Sequence, residues 1–76
     1  MAAALTFKSR LQELFPQIEW MVGLTDGCLN VSGTHPKTGK CASSLVAESI
    51  CLAAQAGGTF DDLVRETGRG LIAKVG

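Results

Sequence analysis

The chain has no net charge. Seven basic and seven acidic residues cancel, which excludes the electrostatic grip of a strongly basic nucleic-acid binder and equally the acidic surface of a nucleic-acid mimic. Charge of either sign is sparse, at 18% of residues against 46% hydrophobic, so less of the surface is charged than in a typical soluble domain. Long hydrophobic runs are missing, and no segment reaches membrane-spanning length. The opening Met1-Ala2-Ala3-Ala4-Leu5-Thr6-Phe7-Lys8 has no basic region followed by an apolar stretch. The three cysteines are an odd number, which fits a reducing compartment better than a disulfide framework. Together these absences lead us to expect a cytoplasmic protein. Repeats, linkers and low-complexity segments are also lacking, and 76 residues allow one small α+β domain, 1–76, with one modest core. Ordering such a chain costs on the order of 100 kcal/mol, so burial must be efficient and self-association is a reasonable way to gain more.

The strongest local signal is Asp26-Gly27. A type I′ hairpin turn needs positive φ at both central residues, and these two tolerate it. With that turn, Thr25 faces Cys28, Leu24 faces Leu29, Val22 faces Val31 and Trp20 faces Gly33. Ile18, Trp20, Val22, Leu24, Leu29 and Val31 then share one face, and a slip of one residue would scatter them. The opposite face carries Glu19, Met21, Gly23, Thr25, Cys28, Asn30 and Ser32. It is mixed in character and free to meet solvent or a partner, which makes Met21 and Asn30 candidate binding residues.

Around the hairpin the spacing predicts helices. Phe7, Leu11, Leu14 and Phe15 recur at helical intervals behind a Thr6 N-cap, with Pro16 as the stop; the stripe reads as core. Ser43 or Ser44 can cap a long central helix running to about Ala56, ended by a left-handed Gly57. Its apolar residues cover most of the circumference, so we expect it to be buried. Thr59-Phe60-Asp61-Asp62 has capping-box spacing and opens a short helix ending at Gly68. The two aspartates read as capping groups rather than acid-base chemistry. The tail from Gly70 to Val75 reads as a C-terminal strand or a helical extension. A lone hairpin is marginal in water, so a third strand, from this tail or from a second copy of the chain, is expected.

Three constellations bear on chemistry. Gly33-Thr34-His35-Pro36-Lys37-Thr38-Gly39-Lys40-Cys41 follows a predicted strand and precedes a predicted helix, as a phosphate-binding P-loop does. One residue too many between the glycines, and Cys41 in place of Ser or Thr, set it apart. What survives is an anion or nucleic-acid site made of His35, Lys37, Thr38, Lys40 and backbone amides at the helix start. Cys28, Cys41, Cys51 and His35 are the right types for zinc but have no Cys-x-x-Cys knuckle, and we expect no metal site. Cys41 and His35 as a nucleophile pair lack an orienting carboxylate, so we expect no catalytic residues and no cofactor. Trp20, on the apolar strand face, reads as core before base-stacking platform.

From Leu24 to Arg69, the strand, Asp26-Gly27 turn, strand, Lys37-x-Gly39 loop, Leu52-Ala53-Ala54-Gln55-Ala56-Gly57 and Phe60-Asp61-Asp62-Leu63-Val64 resemble the small TSCPD-type domain. That domain occurs at the end of vitamin-B12-dependent ribonucleotide reductases and as short standalone proteins. The namesake Thr-Ser-Cys-Pro-Asp motif is absent here. The resemblance implies an accessory module rather than the radical-generating catalytic domain, and it transfers no catalytic residue. The expectation is therefore a noncatalytic protein-binding module, accessory to or inhibitory of a larger protein, acting as a homodimer. A nucleic-acid or phosphate-binding domain using the His35 to Lys40 loop is the alternative.

Overall fold

A computed structural model describes residues 2–75. The elements run α1 (Ala2–Leu14), β1 (Glu19–Thr25), β2 (Cys28–Thr34), β3 (Cys41–Ala47), α2 (Glu48–Gly57) and α3 (Phe60–Val75). The three strands form one antiparallel sheet in the order β1-β2-β3, giving an α+β fold. Among the described residues no helix is long and apolar enough to cross a membrane.

The hairpin forms in the expected register. Trp20 pairs with Gly33, Val22 with Val31, Leu24 with Leu29 and Thr25 with Cys28, and Asp26 and Gly27 both have positive φ, 51° and 75°. Ile18, Trp20, Leu29 and Val31 are buried, while Leu24, next to the turn, remains 46% exposed. Phe7 and Leu11 of α1 are fully buried against this face, with Leu14 and Phe15 packed beside them. Trp20 donates its indole N–H to the Phe15 carbonyl at 3.0 Å, and its ring lies 6.2 Å from that of Phe15. It is a core residue with its polar tip satisfied.

The second half of the chain corrects the sequence reading. The expected long helix is split, because residues 41–47 form β3, which pairs along its whole length with β2 from Thr34–Cys41 to Cys28–Ala47. Ser43 and Ser44 are strand residues, not caps. Ala42, Ser44 and Val46 alternate with Cys41, Ser43 and Leu45, a period-2 pattern muted by small residues. The unpaired edge of β2 resolves the ambiguity, since this segment supplies the third strand the hairpin needed. Helix α2 starts without a side-chain cap; the Glu48 N–H instead donates to the Gly27 carbonyl at 2.9 Å, tying the helix to the hairpin turn. Its left-handed terminator is Gly58, φ 79°, one residue beyond Gly57. The helix is not buried all round, for only Cys51 and Ala54 are inside and Ile50 and Leu52 are more than half exposed.

The C-terminal strand is not formed, and the short helix does not stop at Gly68. One 16-residue helix runs to Val75 with Val64, Gly68, Leu71 and Val75 buried, a single stripe at intervals of four, three and four. Gly68 belongs to that stripe as its smallest member. A Cβ there would sit 2.5 Å from Phe15 Cε2 and 3.1 Å from Leu11 Cδ2, so its absence is what lets α3 lie close on α1. Thr59 occupies the N-cap position, its carbonyl accepting from the Leu63 N–H at 3.1 Å.

Asp61 caps less than it bridges. Arg10 Nε and Nη2 donate to its two carboxylate oxygens at 2.8 and 2.9 Å, a fork geometry that joins α1 to α3. The Arg10 hydrogen bond holds the Asp61 carboxyl below the usual carboxylate range. A depressed folded-state pKa contributes stability that is complete above the unfolded value, about pH 4, and is lost as pH falls through the lower folded value. Thermal melts between pH 6 and pH 2 should therefore show an acid-side decline that is shallower in Asp61→Asn. A slope identical to wild type would contradict the pairing.

Candidate functional site

The helices all pack on the sheet face that carries Trp20, Leu29, Val31 and Gly33, and the alternation of strand side chains leaves the other face bare. Along β1 it presents Glu19, Met21, Gly23 and Thr25, all exposed; along β2, Cys28, Asn30, Ser32 and Thr34; along β3, Cys41, Ser43, Leu45 and Ala47. Two large apolar side chains stand on this face, Met21 at 72% and Leu45 at 68% exposure. Between them lie small or polar groups: Gly23, Asn30 and Leu45 share one cross-strand row, and Met21, Ser32 and Ser43 the next. The result is a shallow depression of about 270 Å³ bordered by Met21, Thr25, Asn30 and Ser32, with Gly23 as its floor. Met21 and Asn30 were both legible from strand alternation. Leu45 was not, because the sequence placed it in a helix.

The His35 to Lys40 loop is a different object from the one the sequence suggested. It links β2 to β3, so no helix N-terminus adds its dipole. Its amides are already engaged: His35 N–H donates to the Lys40 carbonyl and Gly39 N–H to the His35 carbonyl, each at 2.8 Å. The Lys37 and Thr38 amides donate to His35 Nδ1 at 3.2 and 3.4 Å, and the Lys40 amide to Thr38 Oγ1 at 3.3 Å. Pro36 has no N–H to give. His35 and Thr38 therefore act as internal ties that close the loop, and what remains for an anion is side-chain donors alone: the Lys37 and Lys40 ammonium groups, the His35 Nε2–H and the Thr38 hydroxyl. A phosphate cradle needs convergent free amides, and here the loop has consumed them.

The three thiols are dispersed. Cys28 and Cys41 lie at opposite ends of the β2–β3 ladder, about 20 Å apart at roughly 3.3 Å per residue. Cys51 is fully buried in α2, where burial, with Glu48 nearby, pushes its thiol pKa up. That is the opposite of the activation a nucleophile or metal ligand requires.

A second concavity, about 410 Å³, lies between α2 and α3. Ile50, Ala53 and Leu63 give it apolar walls, and Asp62 and Glu66 supply carboxylates. Two helices in this region were expected from the spacing, but the cleft depends on how they pack on each other, which residue types do not show.

Comparison with protein-family models, curated proteins and solved structures finds no match to this chain.

Proposed function

We propose that the chain is a noncatalytic protein-binding module of the cytoplasm, an accessory or inhibitor of a larger protein, that also self-associates. The observation that carries this reading is the bare sheet face, on which Met21 and Leu45 stand exposed and Met21 borders a depression floored by Gly23 and edged by Thr25, Asn30 and Ser32. Exposed apolar side chains interspersed with satisfiable polar groups on a flat surface have the make-up of a protein interface. The three unpaired cysteines suit a reducing compartment. The resemblance of residues 24–69 to TSCPD-type accessory domains points the same way.

The test is a comparison of wild type with Met21→Lys/Leu45→Lys. Both positions are exposed, so the double variant should keep the wild-type circular dichroism and melt within a few degrees of it. A partner captured from the native host by wild type should be lost with the variant. Undiminished capture by the variant would overturn the assignment of this face.

A further inference from the structure

The edge of the sheet carries more information than its face. The two-residue turn makes Thr25–Cys28 a hydrogen-bonded pair, and the alternation of an antiparallel ladder then points Leu29, Val31 and Gly33 toward β3. The His35 N–H bond to Lys40, one step beyond the ladder, has the same parity. Ala42, Ser44 and Val46 accordingly bond to β2, while the backbone groups of Cys41, Ser43, Leu45 and Ala47 face outward. Among the described residues, no backbone hydrogen bond leads from β3 to anything beyond its sheet.

Exposed edges of this kind are ordinarily blunted by charge, proline or a bulge. β3 has none of the three: Cys41-Ala42-Ser43-Ser44-Leu45-Val46-Ala47 contains no charged residue and no proline, and its pairing with β2 is one-to-one throughout. The other edge, β1, carries Glu19.

Resting on the reading that the chain self-associates, we infer that two copies pair β3 with β3 about a two-fold axis through Ser44, making one six-stranded antiparallel sheet. An isologous contact must be complementary to itself, and an uncharged strand meets its own copy without like-charge opposition. The register centred on Ser44 is the symmetric one in which every residue of β3 finds a partner. Ser43 and Leu45 exchange both backbone bonds with Leu45 and Ser43 of the second copy. The Ala47 N–H reaches the Cys41 carbonyl, and Ser44 faces Ser44 as a non-hydrogen-bonded pair. The two bare faces become one continuous surface, with each Leu45 beside Ser43 of the other copy.

The register can be trapped. In a Cys28→Ser/Cys41→Ser background, Ser44→Cys would place two thiols on Cα atoms about 4.5 Å apart, within disulfide range. Mild oxidation should give a covalent species of twice the 7.9 kDa chain mass, while Ala42→Cys, which faces Val46, should not. Sedimentation should show wild type as a dimer and Leu45→Lys as dissociating at least tenfold more readily, with unchanged circular dichroism. A dimer that tolerates Leu45→Lys and resists cross-linking through Ser44→Cys would overturn the edge pairing while leaving self-association standing. A wild-type chain that stays monomeric at millimolar concentration would overturn both.

Discussion

Trp20→Ala is expected to lose about 3–5 kcal/mol, the cost of emptying a large aromatic site in a packed core. A 76-residue domain holds roughly 4–11 kcal/mol in total, so the variant should melt some 15–30 °C lower, or not fold at all, when followed by far-UV circular dichroism. Trp20 is 3% exposed, spans the join between α1 and β1, and satisfies the Phe15 carbonyl through its indole N–H. Its partner across the strands is Gly33, where a Cβ would come within 2.7 Å of Trp20 Cζ3. Gly33 is thus the floor on which the indole rests. Gly33→Ala should destabilise the wild type by about 1–3 kcal/mol through overpacking, and by much less in a Trp20→Leu background, because the two sites share one volume. Additive effects in that cycle would contradict the packing.

Glycines 68 and 70 should respond to alanine with opposite signs. In a helix interior the exchange alone favours alanine by about 1 kcal/mol, and at Gly70, where nothing lies within 4 Å, that gain should appear as a higher melting temperature. At Gly68 the new methyl meets the Phe15 ring at 2.5 and 2.8 Å. That ring is half-buried and lies against Trp20, so it can make room only by shifting on the indole. Overpacking of about 1–3 kcal/mol should outweigh the propensity gain, and Gly68→Ala should melt lower. If both variants melt higher, α1 and α3 are not in the close contact described.

Gly27 and Gly68 show why part of the fold was legible in the sequence and part was not. Asp26-Gly27 specifies its turn locally, and the turn fixes the register, so the buried and exposed faces of the hairpin followed, together with Met21 and Asn30. Gly68 carries no local mark distinguishing a helix end from a helix contact; only the ring of Phe15, 53 positions away in sequence, decides it. The segment from Cys41 to Ala47 was ambiguous for a similar reason. Its serines are good helix caps and its alanines good helix formers, and the strand exists because β2 offers an unpaired edge, which is tertiary information. That misreading hid Leu45 and put a helix dipole behind the His35 to Lys40 loop, where the structure has a strand. Whether the amides of that loop were free was a question of hydrogen bonds that residue types could not answer.

If the sheet is a docking element, its outer strand β3 is finished by a second chain. Amide hydrogen exchange resolved by residue, at micromolar and at millimolar concentration, addresses this most directly, because paired and outward amides alternate along β3. Ala42, Ser44 and Val46 should be protected at both concentrations, while Ser43, Leu45 and Ala47 should exchange rapidly when dilute and become protected when concentrated. Rapid exchange at Ser43, Leu45 and Ala47 at every concentration would contradict it.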